Sequence, residues 1–293
     1  MSLPEATEPM PSVPFITAEI RSFTLTSLLN RLPDSDGDAI FDEPTVQFAD
    51  GADPIFDEYK SIIDPTHLTP REALALAHGN NPTDLPAQLS VISWILPITE
   101  KTRRTNRRET VIPSRPWSYT RWYGEQFNDA LRKHVVELLH DKGYLAAAPV
   151  VQPYFKSGRN GKGRFSNWSE RHVAYAAGLG TFSLSDGFIT ERGIAHRCGS
   201  VVTDLALPAS PRSARNHLSN CLFYVNKKCR ACIPRCPAGA ITEKGHDKDR
   251  CADYMNSDIH YLKEEYGVGV QGCGLCQTRV PCEFRNPAAK LSS

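Results

Sequence analysis

The chain has 293 residues, and 34 lysines and arginines against 33 aspartates and glutamates leave a net charge of +1. That balance excludes a general electrostatic pull toward nucleic acid or an anionic membrane. The longest apolar run, around residues 89–98, falls well short of the roughly 20 residues that a membrane-spanning helix needs, and the length suits one large domain or a medium and a small one.

The first residues lack the basic start and apolar stretch of a secretory signal, and no twin arginine is present. The expectation is a cytoplasmic protein, with no membrane partner. Thiols stay reduced in that compartment, so clustered cysteines there read as metal ligands rather than disulfides. Residues 1–20 are rich in proline and predict an extended arm. Residues 34–70 carry many Asp, Pro and Gly and predict loops with one or two short helices, one of them over 55–63. Residues 88–97 are dense in β-branched and aromatic side chains and predict a buried strand. The basic run 101–108 lacks interleaved aromatics and predicts a solvated loop rather than an RNA contact. Over 125–142 the residues Phe127, Leu131, Val135, Leu138 and Leu139 share one helical face, with Gly143 placed to stop the helix. A strand over 146–153 follows, then a helix over 167–177 capped near Asn167 or Ser169 and ended by Gly178. Residues 188–207 predict two strands about a turn at Glu191-Arg-Gly193. These alternations point to an α/β or α+β core. Near Pro211 the composition shifts, and the expected division is an N-terminal arm and irregular segment (1–84), a core (85–210) and a cysteine-rich domain (211–293).

Eight of the nine cysteines lie between 221 and 282. The first group is Cys221, Cys229, Cys232 and Cys236, built on Cys229-Arg-Ala-Cys232-Ile-Pro-Arg-Cys236-Pro237. The second is Cys251, Cys273, Cys276 and Cys282, built on Cys273-Gly-Leu-Cys276. A C-x-x-C pair lets two thiolates reach one small metal centre, and the C-x-x-C-x-x-x-C-P run is how bacterial-type ferredoxins send a further cysteine to the neighbouring cluster. Two [4Fe–4S] clusters need eight thiolates, the number supplied here. The exchange predicts one cluster on Cys221, Cys229, Cys232 and Cys282 and another on Cys236, Cys251, Cys273 and Cys276. Structural zinc also favours four thiolates, but it leaves the C-x-x-C-x-x-x-C-P run without a reason. Cys198 stands apart and reads as a buried free thiol.

Arg171-His-Val-Ala-Tyr-Ala-Ala-Gly-Leu-Gly180, then Gly187-Phe-Ile-Thr190, then Gly199-Ser-Val-Val-Thr-Asp-Leu-Ala-Leu207, then the cysteines, together resemble epoxyqueuosine reductases and the corrinoid reductive dehalogenases. The resemblance runs from about residue 85 to 287. It implies a nitroreductase-like core that holds cobalamin, with a ferredoxin-like two-cluster domain docked on it. It also implies an external low-potential electron donor of ferredoxin or flavodoxin type. By position, Gly178, Leu179 and Gly180 would form the turn where backbone approaches the corrin, and Thr203, Asp204 and Leu205 would line the same cofactor. A flavin is the alternative occupant, since nitroreductase-like folds host flavins too.

The chain departs from the pattern in one respect that bears on chemistry. Where epoxyqueuosine reductases carry a catalytic acid ahead of the helix, counting back reaches Arg164. The expected function is therefore an iron–sulfur, corrinoid-dependent reductase of a small-molecule or tRNA-borne substrate. A cluster relay without its own catalytic centre and a tRNA epoxyqueuosine reductase with a displaced acid are the alternatives. Proton delivery in the dehalogenases uses Tyr paired with Lys or Arg, because a nearby cation lowers the cost of the phenolate left behind. Tyr154, Arg171 and Tyr175 are the candidates, the last two spaced i, i+4 on one helix face.

Overall fold

The computed structural model describes residues 11–161 and 163–289. Residues 1–10 of the expected N-terminal arm lie outside the described ones. From Val13 the chain is helical rather than extended. α1 (Val13–Thr26) starts where Ser12 caps it with Pro14 in its first turn, and it buries Ile16, Ile20 and Thr24. Proline is tolerated there because the first amide groups of a helix have no intrahelical partner. The segment expected as loops with one or two short helices supplies α2 (Ile55–Ile62), where the helix over 55–63 is expected, and also β1 (Thr45–Asp50) and the start of α3 (Pro70–His78), the last closed by a Thr69–Glu72 capping box and by Gly79.

The buried strand is β2 (Ser90–Pro97), with every residue inside. The basic run that reads as a loop is instead α4 (Glu100–Arg108), whose inner face buries Thr102, Arg103 and Asn106. α5 (Arg115–Asp141) begins ten residues earlier than its apolar periodicity suggests, because its first turns pack Trp117, Ser118, Tyr119 and Thr120 inside. β3 shrinks to Ala146–Ala147, since Pro149 turns the chain into a short 3₁₀ turn. A hairpin, β4 (Ser157–Asn160) and β5 (Gly163–Ser166), precedes α6 (Glu170–Ala176).

β6 (Gly180–Phe182) pairs with β7 (Phe188–Thr190), while β8 (His196–Thr203) leaves that hairpin for the main sheet. The two strands expected about the 191–193 turn thus exist but join different sheets. Among the described residues the main sheet is antiparallel with order β1-β2-β8-β3, and Ile92 faces Val201 at its centre. Apolar clusters cover both faces. One holds Trp94, Phe127, Leu131 and Val201, the other Phe56, Trp168, Val173 and Val202. Alternation along β2 and β8 sends neighbouring residues to opposite layers, which yields a mixed helix and sheet sandwich.

The cysteine-rich part has short elements: α7 (Leu222–Asn226), β9 (Ile241–Thr242), β10 (Gly245–His246), α8 (Lys248–Asp253), a π-helical turn and α9 (Leu262–Tyr266). It is not a separate bead. Tyr254, Ile259, Leu262 and Tyr266 bury themselves in the same cluster as Trp117 and Tyr119.

Candidate functional site

All nine cysteines are free thiols. Cys221, Cys229, Cys232 and Cys282 line one small cavity, together with Phe223, Ile189 and Val280. Cys236, Cys251, Cys273 and Cys276 line the wall of a second, much larger one. Each of the two cavities is thus lined by four of the eight cysteines. Local turns bring them there. Cys221 opens α7, Lys227 reverses the chain at φ +59°, and the amide of Ala240 donates to Cys236 Sγ at 3.3 Å. Gly274 sits at φ +57° with its α-carbon against the Trp117 indole, where a Cβ would come within 2.1 Å of Nε1, so only glycine fits that turn.

Burial, then the neighbouring sulfurs of the same quartet, pushes Cys232 and Cys273 up to about 12 and raises Cys276 and Cys282 strongly. Such thiols ionise only against a nearby positive charge, which a bound metal centre supplies. Among the described residues no three His, Cys, Asp or Glu side chains stand in the geometry that holds a single metal ion. Each quartet is defined by the void that it faces. Four thiols facing one void, all of them at least part-buried, form a donor set that fits an iron–sulfur cluster.

Two buried side chains fix this segment to the core. Arg235, between Cys232 and Cys236, donates from Nε to the carbonyls of Leu275 (3.2 Å) and Thr278 (3.1 Å), from Nη1 to Glu109 O (2.6 Å) and from Nη2 to Asn106 O (3.3 Å). Glu283, beside Cys282, receives Arg107 in a fork at 2.8 and 2.7 Å and has Arg103 at 3.7 Å. The Glu283 bond holds the Arg107 guanidinium above its ordinary range, while burial pulls Arg103 down. The basic run of α4 is thus an internal anchor for the last cysteine.

The larger cavity, about 1150 Å3, opens between α2, α5, α6, the β4–β5 hairpin, the start of β8 and the second quartet. It exceeds the roughly 300–1,000 Å3 typical of small-ligand pockets. Its lining carries five cations against the carboxylates of Glu58 and Asp186. Four of the cations face a carboxylate: Arg197 and Arg121 meet Glu125, Arg164 meets Asp249 and Lys248 meets Asp186. Arg171 donates to the backbone carbonyl of Asp186 and shows no such pair among the described residues. Burial pulls His172 down to about 3 and His196 to about 4, so both are neutral at pH 7. Tyr59 donates to His172 O at 2.7 Å, and burial raises its phenol.

Of the candidates read from sequence, Arg171 and Tyr175 line this cavity. Tyr154 does not; its hydroxyl donates to Ala73 O at 2.8 Å. Gly178, Leu179, Gly180, Thr203, Asp204 and Leu205 are also absent from the lining. Gly178 ends α6 at φ +81°, where a Cβ would meet Pro211 O at 2.6 Å, and Gly180 pairs with Thr190. Thr203 and Asp204 hold Leu145 at 2.8 and 2.9 Å, and Leu179 and Leu205 are buried apolar residues. The reading missed Tyr59, His196 and Arg197. Two adjacent basic residues opening an otherwise apolar strand were the signal for the last two. Cys198, expected as a buried thiol, is a free, part-buried one at the edge of the apolar core, and desolvation pushes it up to about 12.

No family model matches the chain. An epoxyqueuosine reductase of Francisella cf. novicida (strain Fx1) is 32% identical over 126 residues, which is 41% of this chain and 33% of that protein. The chain thus spans about a third of the length of the curated relative that it matches. Among solved structures, epoxyqueuosine reductase from Bacillus subtilis aligns at 19% identity and TM-score 0.43 over 83% of this chain and 62% of that one. A catabolic reductive dehalogenase in complex with 3-bromo-4-hydroxybenzoic acid aligns at 14% identity and TM-score 0.49 over 93% of this chain and 36% of that one. No helix among the described residues is long and apolar enough to cross a membrane. Over those 126 residues the chain is similar to epoxyqueuosine reductase.

Proposed function

We propose that this protein is a cytoplasmic reductase that passes low-potential electrons through two [4Fe–4S] clusters to a corrinoid, which reduces a substrate in the large cavity. The finer fold assignment, a nitroreductase-like core over 85–210 and a ferredoxin-like domain over 211–293, belongs to the same proposal. The observation that carries it is the sorting of eight thiols into two quartets, one of which walls the cavity. Cys221, Cys229, Cys232 and Cys282 would hold the outer cluster. Cys236, Cys251, Cys273 and Cys276 would hold the inner one. When bound, a corrinoid supplies a strongly reducing, nucleophilic metal centre.

The chain's own residues bind, orient and protonate. Arg171 offers unpaired N–H donors to an anionic group. Tyr175 sits one turn along the same helix with the Arg212 guanidinium 5.6 Å from its ring centre, and it is the proposed proton donor, because a nearby guanidinium stabilises the phenolate left behind. Neutral His172 and His196 add hydrogen bonds without charge. Arg164 in the lining, where the resemblance leads one to expect an acid, favours a substrate that needs no carboxylic proton donor. No role falls to Tyr154, to the buried Thr203 and Leu205 or to Asp204, none of which lines the cavity.

Anaerobic purification should yield about eight iron and eight sulfide per chain. Cys229→Ser and Cys282→Ser should each remove the same electron paramagnetic resonance signal, and Cys276→Ser the other. Added cobalamin should shift its visible bands on binding, and Arg171→Ala with Tyr175→Phe should abolish turnover while leaving iron content intact. Zinc in place of iron, or one signal lost in all three cysteine variants, refutes the assignment.

A further inference from the structure

We infer that the exposed basic strip Lys227-Lys228-Cys229-Arg230, with the neighbouring Phe284-Arg285 edge, is the docking surface for an acidic one-electron carrier protein of ferredoxin or flavodoxin type. This rests on the two-cluster reading above.

None of Cys221, Cys229, Cys232 and Cys282 lines the substrate cavity. Electrons bound for that cavity must therefore enter at this quartet, and transfer falls steeply with distance. The surface beside it is basic. Lys227, Lys228, Arg230 and Arg285 are all exposed and flank Cys229 or Cys282. Lys227 is held by its left-handed turn with Nζ 4.5 Å from the centre of the Phe223 ring, and that ring walls the outer quartet. The carboxylate paired inside the strip is Glu243, on Arg230. Two large apolar side chains, Val225 (45% exposed) and Phe284 (49%), stand among these charges. A small apolar contact ringed by one sign of charge suits a transient redox encounter, where electrostatics steers association and the buried area stays low.

The step balances simply. One electron leaves the donor's reduced centre and enters the outer cluster, the donor is oxidised by one, and no bond or proton moves.

The test is stopped-flow reduction of the cluster-loaded protein by a small acidic ferredoxin at low and high salt. The triple variant Lys227→Glu, Lys228→Glu, Arg230→Glu should slow reduction roughly tenfold or more at low salt and flatten its salt dependence. Photoreduction by deazaflavin, a small uncharged route, should be unchanged, as should iron content. Lys133→Glu on α5 serves as a control for charge reversal away from the strip and should behave as wild type. Equal rates and equal salt dependence in wild type and triple variant, with clusters intact, overturn the docking surface alone. A wild-type protein without clusters overturns the two-cluster reading with it.

Discussion

Two basic runs in this chain look alike in sequence and behave oppositely. Residues 101–108 form α4, and Arg103 and Arg107 turn inward to Glu283. Residues 227–230 stay outside beside a cysteine, with Glu243 as the carboxylate drawn to them. The difference lies in what the partner chain segment offers, a buried carboxylate in one case and solvent in the other. A charge run therefore says little until its counter-charges are placed. Inward, it is structure, and losing a partner leaves an uncompensated buried charge. Outward, it is field, worth little to stability and much to association.

The sharpest way to break the comparison is Glu283→Ala. Arg103 and Arg107 would lose their carboxylate, with an expected cost of about 3–5 kcal/mol, read by denaturant unfolding. Glu283→Gln should cost less, since it keeps hydrogen-bond acceptance. A cost below about 1 kcal/mol for the alanine variant would place α4 with the surface runs. Next comes acid. Buried His67, pulled down to about 4, is neutral in the fold and protonates more readily once unfolded. Its contribution is complete above pH 6.5 and is lost as pH falls toward 4, about 2 kcal/mol between pH 7 and pH 5. His172 and His196 act in the same direction, so the denaturation midpoint should drop over that window; a flat profile would contradict their neutral burial. The smallest effect belongs to the outward run. The triple reversal at 227, 228 and 230 should change unfolding free energy by no more than about 0.5 kcal/mol per substitution.

Much of the core was legible from side-chain pattern. The apolar, β-branched and aromatic density of β2 and the spacing of Phe127, Leu131 and Val135 each had a single reading, as did Gly143. What escaped depended on long-range partners. α4 reads as solvated because Arg103 and Asn106 are polar, and their burial relies on Glu283 and Thr278, over 170 residues away in sequence. α1 hides behind its prolines. In the site, C-x-x-C geometry is local and so legible in the cysteine spacing, whereas the grouping into two proposed quartets rests on the exchange rule. The cavity wall did not follow from the glycine and Thr-Asp-Leu motifs. Those residues secure turns and strand ends, whereas the lining draws single side chains from α2, α6 and β8, whose meeting depends on how the sheet and helices stack.

The 27-residue α5 runs unbroken for about 40 Å, from the Trp117 indole seated on Gly274 to the turn at Gly143 beside the sheet edge. It works as a strut. The turn carrying Cys273 and Cys276 rests on one end of a stiff rod whose flank is sunk in the sandwich, rather than on a loop. Thermal jitter of the sulfurs relative to the cavity floor is thereby damped, and the placement of that turn against the sandwich is set once, at folding.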